Sequence, residues 1–119
     1  MSADKLLPES IVRRRRSFPE LSTLLKRIER IYHPSDVLLF GSRARGDASP
    51  DSDWDLLVIL PDDADDALLD PLLGWEVQSG SGVHADLICS YRGEFLADLQ
   101  VANSRSREIA EDAIGLISG

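Results

Sequence analysis

The chain has one cysteine, Cys89, set in an apolar stretch. An intrachain disulfide is therefore excluded, and a packed thiol in a reducing compartment is the expected state. No apolar run approaches the roughly 20 residues that a membrane helix needs, and the N-terminus carries neither the apolar stretch nor the cleavage site of a secretory signal. These absences point to a soluble, cytoplasmic protein with no membrane contact. Positive charge is also scarce: 13 Lys and Arg stand against 21 Asp and Glu, for a net charge of -8. That balance argues against strong nucleic-acid binding by bulk electrostatics. Any nucleotide would have to be held locally, by metal ions or by a few placed cations. There is no internal repeat and no low-complexity linker. With 119 residues and 43% hydrophobic content, residues 1–119 are expected to form a single domain around one modest core, residues 1–16 being an N-terminal arm or helix.

From Ser17 to Tyr32, Phe18, Leu21, Leu24, Leu25, Ile28, Ile31 and Tyr32 recur at three- and four-residue steps and line one face of a helix. Ser17 and Glu20 have the spacing of a capping box, with Pro19 tolerated in the first turn, and His33-Pro34-Ser35 ends the helix. Val37 to Phe40 reads as a short buried strand closed by Gly41, and Ser42 to Ser52 as a loop with one helical turn. A second strand runs from Asp53 or Trp54 to Leu60. A helix is expected around Ala64 to Leu69, and a third strand over Val83 to Tyr91 after the Ser79-Gly80-Ser81-Gly82 turn. The remainder reads as helical, on Phe95, Leu96 and Leu99 and then on Ile109, Ala113 and Leu116. Together these predict an α/β (α+β) fold with a small mixed sheet and helices packed mainly on one face.

Asp53 and Asp55, two apart on a strand, project from one face while Trp54 points the other way. Two carboxylates this close repel unless a cation lies between them, and magnesium prefers an oxygen-only shell. Upstream, Gly41-Ser42 follows a buried strand directly, so a sharp turn there can bring backbone N–H groups and a hydroxyl to an anionic group. Arg43 and Arg45 add charge-assisted donors. Asp86 lies inside the third strand, where a lone carboxylate is costly without a partner such as a metal ion.

Gly41-Ser42, ten intervening residues and Asp53-Trp54-Asp55 resemble the signature of the DNA polymerase β-like nucleotidyltransferases, and Asp86 completes that superfamily's carboxylate triad. Within it, the wording GSRARGDASPDSDWDLLVIL is most similar to the minimal nucleotidyltransferases, which often serve as antitoxins beside HEPN-domain toxins. The resemblance implies the nucleotidyltransferase fold and transfer of a nucleoside monophosphate from ATP or another nucleoside triphosphate to a hydroxyl. Asp53, Asp55 and Asp86 would be catalytic and would hold two Mg2+ ions, with Asp86 also helping to take the acceptor proton. Gly41, Ser42 and Arg45 would bind the nucleotide, and Arg43 would face solvent or a partner. A tyrosine of a HEPN-domain toxin is the acceptor the resemblance favours, in a hetero-oligomeric complex. Adenylylation of a small molecule and a non-catalytic, nucleotide-sensing antitoxin are the alternatives.

Several residues invite sharper readings than they support. The Arg13 to Arg16 run reads as a solvated helix face, or else as a contact for RNA or a partner. A partner surface is also expected around Phe95 to Leu116, where apolar and charged residues alternate. Asp62, Asp63, Asp65 and Asp66 suit a helix start better than a metal site. His84 falls on the Asp86 face as an edge-exposed histidine, and Trp54 and Trp75 read as core or interface residues.

Overall fold

Two adjacent strands with unbroken apolar runs need cover on both sides, and this requirement organises the protein. A computed structural model describes residues 7–116. Its elements are α1 (Glu9–Arg13), α2 (Ser22–Tyr32), β1 (Asp36–Phe40), α3 (Ser42–Arg45), β2 (Trp54–Leu60), α4 (Pro71–Gln78), β3 (Ala85–Tyr91), α5 (Arg92–Asp98), α6 (Arg105–Asp112) and β4 (Ile114–Gly115). The sheet has the order β3-β2-β1-β4. β1 is antiparallel to β2 and to β4, whereas β2 and β3 are parallel. The expected α/β class with a mixed sheet is what forms.

Cross-strand register sorts the apolar residues into two sets. Leu39 faces Leu56 and Val37 faces Val58 on one side of the sheet; Leu38 faces Leu57 on the other. The first set joins Leu24, Leu25, Ile28 and Tyr32 of α2 and Val77 of α4 in the larger core. Each such fully buried side chain contributes about 1.5–3 kcal/mol. The second set meets Ile11 of α1, Phe95 and Leu96 of α5 and Ile109 of α6 in a smaller core. Helices mainly on one face thus describes the larger core, and short helices cover the opposite face as well. Phe95, Leu96 and Ile109 are buried there, so they are unavailable for the partner surface expected from their sequence.

Local departures from the sequence reading have identifiable causes. The Ser17–Glu20 capping box does not form: a 3-10 turn over Pro19–Leu21 precedes α2, and neither element has a side-chain cap. Pro19 fixes the backbone at the start of that turn. Pro71 begins α4, which Asp70 caps by accepting the Leu72 N–H (3.0 Å). The expected helix over Ala64 to Leu69 is a 3-10 turn, Asp66–Leu69, capped by Asp65. Gly74 lies in α4 where a Cβ would stand 3.2 Å from Leu87 Cβ, so its small size lets the helix settle against β3. β3 starts at Ala85, two residues later than expected. At the C-terminus the helical period through Ile109, Ala113 and Leu116 stops at Asp112; Ala113 turns extended (φ -61°, ψ 141°), and Ile114–Gly115 pairs with β1. His33 ends α2 in a left-handed conformation, as read.

The four arginines neither form a single solvated face nor a binding patch. Arg13 pairs with Glu9 on the surface. Arg14 donates to the carbonyls of Glu111 (2.8 Å) and Ala110 (3.2 Å) at the end of α6. Arg15 grips Asp36 at the start of β1 with two nitrogens, and Arg16 lies over the Phe18 ring, 4.7 Å from its centroid. Arg14 and Arg15 thus fasten distant parts of the fold, while Arg13 and Arg16 make local contacts. The Asp36 side chain is only 13% exposed, so Arg15→Ala strands a largely buried carboxylate and is expected to cost about 1–3 kcal/mol. Arg13→Ala removes an exposed pair and should change stability by less than about 0.5 kcal/mol. Urea unfolding of the two variants checks the ranking; equal losses would mean that the Arg15–Asp36 pair does not fasten α1 to the sheet.

Candidate active site

The site begins where β1 ends. Gly41 has φ 77° and ψ -159°, a conformation essentially reserved for glycine. Its carbonyl accepts the N–H groups of Ala44 (3.0 Å) and Arg45 (3.1 Å), so the chain turns straight into the one-turn helix α3. The N–H groups at the start of such a turn have no acceptor within it, and Ser42 occupies that start.

Register then sets the carboxylates. Phe40 is opposite Asp55, and Asp55 is opposite Asp86 on the neighbouring parallel strand. Asp53 lies just before β2, two residues from Asp55, and its charge acts on Asp55 together with that of Asp86 at this end of the sheet. Gly41 lies against Asp55: a Cβ there would stand 3.3 Å from Asp55 Cγ and closer still to Oδ2. Trp54, on the opposite face, is buried and meets the Phe18 ring edge-on with centroids 5.6 Å apart.

Asp55 is held above the usual carboxylate pKa range, first by burial and then by the negative charges of Asp86 and Asp53; Arg105 and Arg45 oppose the shift. Asp53 Oδ1 bonds His84 Nδ1 at 2.8 Å. His84 is exposed as expected, lies just before β3, and accepts the Trp54 N–H through its carbonyl (3.0 Å). Three oxygen-donor carboxylates, one destabilised as an anion by the other two, suit a hard divalent cation by chemistry. Among the described residues, however, no group of three or more His, Cys, Asp or Glu side chains is drawn together as a metal site.

The two loop arginines differ. Arg43 does not turn to solvent: it stacks 4.4 Å from the Trp54 ring centroid and donates to the carbonyls of Ser52 (2.8 Å) and Pro50 (3.2 Å). It therefore holds the loop that leads into β2. Arg45 stays beside Gly41, near Asp47 (3.3 Å) and Asp112 (3.7 Å). An open cleft of about 320 Å3 is lined by Phe40, Gly41, Arg45, Arg105, Glu108 and Asp112, among others. Arg105 was missed in the sequence. It stands in a segment legible only as amphipathic helix, and nothing in its neighbours signals that α6 returns to the Gly41 turn.

The remaining candidates settle into structural roles. Asp65 caps the 3-10 turn, Asp66 accepts the Tyr91 hydroxyl, and Asp62 accepts the Gly93 N–H (2.7 Å). Trp75 is exposed. Cys89 is half-buried, and burial pushes its thiol up to about 11, which keeps it protonated. No helix among the described residues is long and apolar enough to cross a membrane.

No significant match is found among curated protein sequences. A crystal structure from Sulfolobus solfataricus, described as that of a candidate nucleotidyltransferase, superposes with a TM-score of 0.52 at 20% identity, covering 90% of this chain and 82% of that one. At that identity the likeness is one of fold. The model of the nucleotidyltransferase domain family matches residues 21–115, from the start of α2 through β4, and the chain belongs to that family.

Proposed function

We propose that the protein is a magnesium-dependent nucleotidyltransferase that moves AMP from ATP to a hydroxyl of a partner protein. A tyrosine of a HEPN-domain toxin is the favoured acceptor, which makes the chain a cytoplasmic antitoxin working in a hetero-oligomer. The observation that carries the reading is the pairing of Asp55 with Asp86 beside the glycine-only turn at Gly41, with Asp53 close enough to act on the charge of Asp55.

Asp53, Asp55 and Asp86 would hold two magnesium ions. These, when bound, supply charge neutralisation on the triphosphate and acidify the attacking hydroxyl. The Gly41-Ser42 turn offers N–H groups and a hydroxyl to the terminal phosphates. Arg45 can exchange its contacts with Asp47 and Asp112 for phosphate oxygens. Asp86 is the carboxylate left to accept the acceptor proton. Support for a protein acceptor comes from the exposed apolar side chains Leu69, Leu72 and Trp75, which offer surface to bury against another protein. The net charge of -8 disfavours nucleic acid as the acceptor.

The test incubates the protein with magnesium, each labelled nucleoside triphosphate in turn, and a HEPN-domain protein as the partner. Label is expected on one hydroxyl residue of the partner, from ATP above the others, and only slow turnover is expected without the partner. Efficient labelling of a free small molecule, with none on protein, would move the assignment to a small-molecule enzyme. Tight complex formation with no transfer would leave a binding antitoxin.

A further inference from the structure

The positive charge facing the carboxylates comes from two places in the chain. Arg45 belongs to the Gly41 turn. Arg105, the first residue of α6, lines the same cleft and, like Arg45, acts on the charge of Asp55. No carboxylate among the described residues forms an ion pair with Arg105, whereas Arg45 has Asp47 and Asp112. Glu108 and Glu111 also line the cleft, so a cation that stays unpaired among acids is the one most available to an incoming anion. Its position is fixed from several sides. Ser104 caps α6, Asp98 accepts the Ser106 N–H (3.1 Å), Ile109 is buried, and Arg14 ties down the carbonyls of Ala110 and Glu111.

We propose that Arg105 is a nucleotide-binding residue that grips the β- and γ-phosphates in the cleft it shares with Arg45. The inference rests on the nucleotidyl-transfer reading above. In that reaction the acceptor oxygen bonds to the α-phosphorus and the bond from that phosphorus to the bridging oxygen breaks. The bridging oxygen leaves with the electron pair as part of pyrophosphate, and the acceptor proton passes to a carboxylate. Charge therefore accumulates on the departing phosphates, where a guanidinium with no ion-pair partner among the described residues strengthens its hold. A monophosphate lacks the part that Arg105 would touch.

Calorimetric titration of the full chain with Mg-ATP, tripolyphosphate and AMP separates the possibilities. Arg105→Ala is expected to weaken Mg-ATP and tripolyphosphate about tenfold while leaving AMP unchanged. Arg105→Lys should fall between, and Arg107→Ala, on the same helix but outside this cleft, should match the wild type. The Lys variant keeps the test usable if the Ala variant does not fold. Wild-type affinity for Mg-ATP in Arg105→Ala, or an equal loss for AMP, overturns the assignment of Arg105 and leaves the nucleotidyltransferase reading intact. Failure of the wild-type chain to bind Mg-ATP at all overturns both.

Discussion

Asp55→Asn is expected to abolish nucleotidyl transfer, by about 10³-fold or more, while the metal-free protein stays folded and melts at a higher temperature than the wild type at pH 7. The two effects share a cause. Asp55 is partly buried opposite Asp86 and two residues from Asp53, so its charge is unfavourable in the folded chain and valuable only when a cation and a triphosphate are present. The pH dependence follows from the sign of the shift. A carboxylate whose folded pKa is raised binds its proton more tightly folded than unfolded, so it lowers stability as pH rises from the unfolded value of about 3.9 through the raised folded value. Above that window the full cost is present; below it the cost is gone. The melting advantage of Asp55→Asn should therefore be largest near neutrality in chelator and should vanish below about pH 4. Melting curves at several pH values, with labelled-ATP transfer at pH 7, check both halves. Retained transfer would remove Asp55 from the catalytic set, and a melting advantage independent of pH would show that its charge is not the source.

Gly41→Ala should be nearly as damaging, and for steric reasons. At φ 77° and ψ -159° an alanine is strained wherever it sits, and here its Cβ would also press on the Asp55 carboxylate. The backbone strain costs about 1–3 kcal/mol; with the clash, a total loss of about 2–4 kcal/mol is expected. Relief would have to come by moving the turn away from β2 or by turning Asp55 aside, and either change separates the phosphate-holding turn from the carboxylates. Transfer should be lost even at temperatures where the variant is folded. A double-mutant cycle with Asp55→Ala isolates the clash: the second change should restore part of the stability but not the backbone component. If Gly41→Ala melted with the wild type and kept its nucleotide affinity, the close packing of the turn on Asp55 would have no role.

Much of this site was legible because its information is local. Gly41-Ser42 after an apolar strand, and Asp53 and Asp55 two apart at the start of another, are patterns whose geometry follows from the periods of strand and turn alone. The same holds for α2, whose apolar spacing needs no knowledge of what it packs against. The sequence could also supply Asp86 as a carboxylate in an apolar strand, but not the parallel register that sets it opposite Asp55. Register is a property of two segments and was decided in the fold.

Where the reading departed, long-range contacts had outweighed local preference. Ile114–Gly115 left its helical period because β1 offered an open edge on which its backbone groups could pair. Arg13 to Arg16 look alike in sequence, yet Arg14 and Arg15 differ in role from their neighbours because α6 and Asp36 arrive beside them from elsewhere in the chain. The family resemblance separated Arg45, as the nucleotide contact, from Arg43, but that Arg43 packs on Trp54 and the carbonyls of Pro50 and Ser52 instead of facing solvent or a partner was decided in the fold. Arg105 joins the Gly41 cleft only through the packing of α6 on the sheet. The amino-acid sequence by itself determined which strand ends carry acids and where the backbone must turn, since those are matters of residue type and short spacing. The tertiary structure alone decided which cations face those acids, because a side chain's partner depends on segments far apart in sequence that meet only in the folded chain.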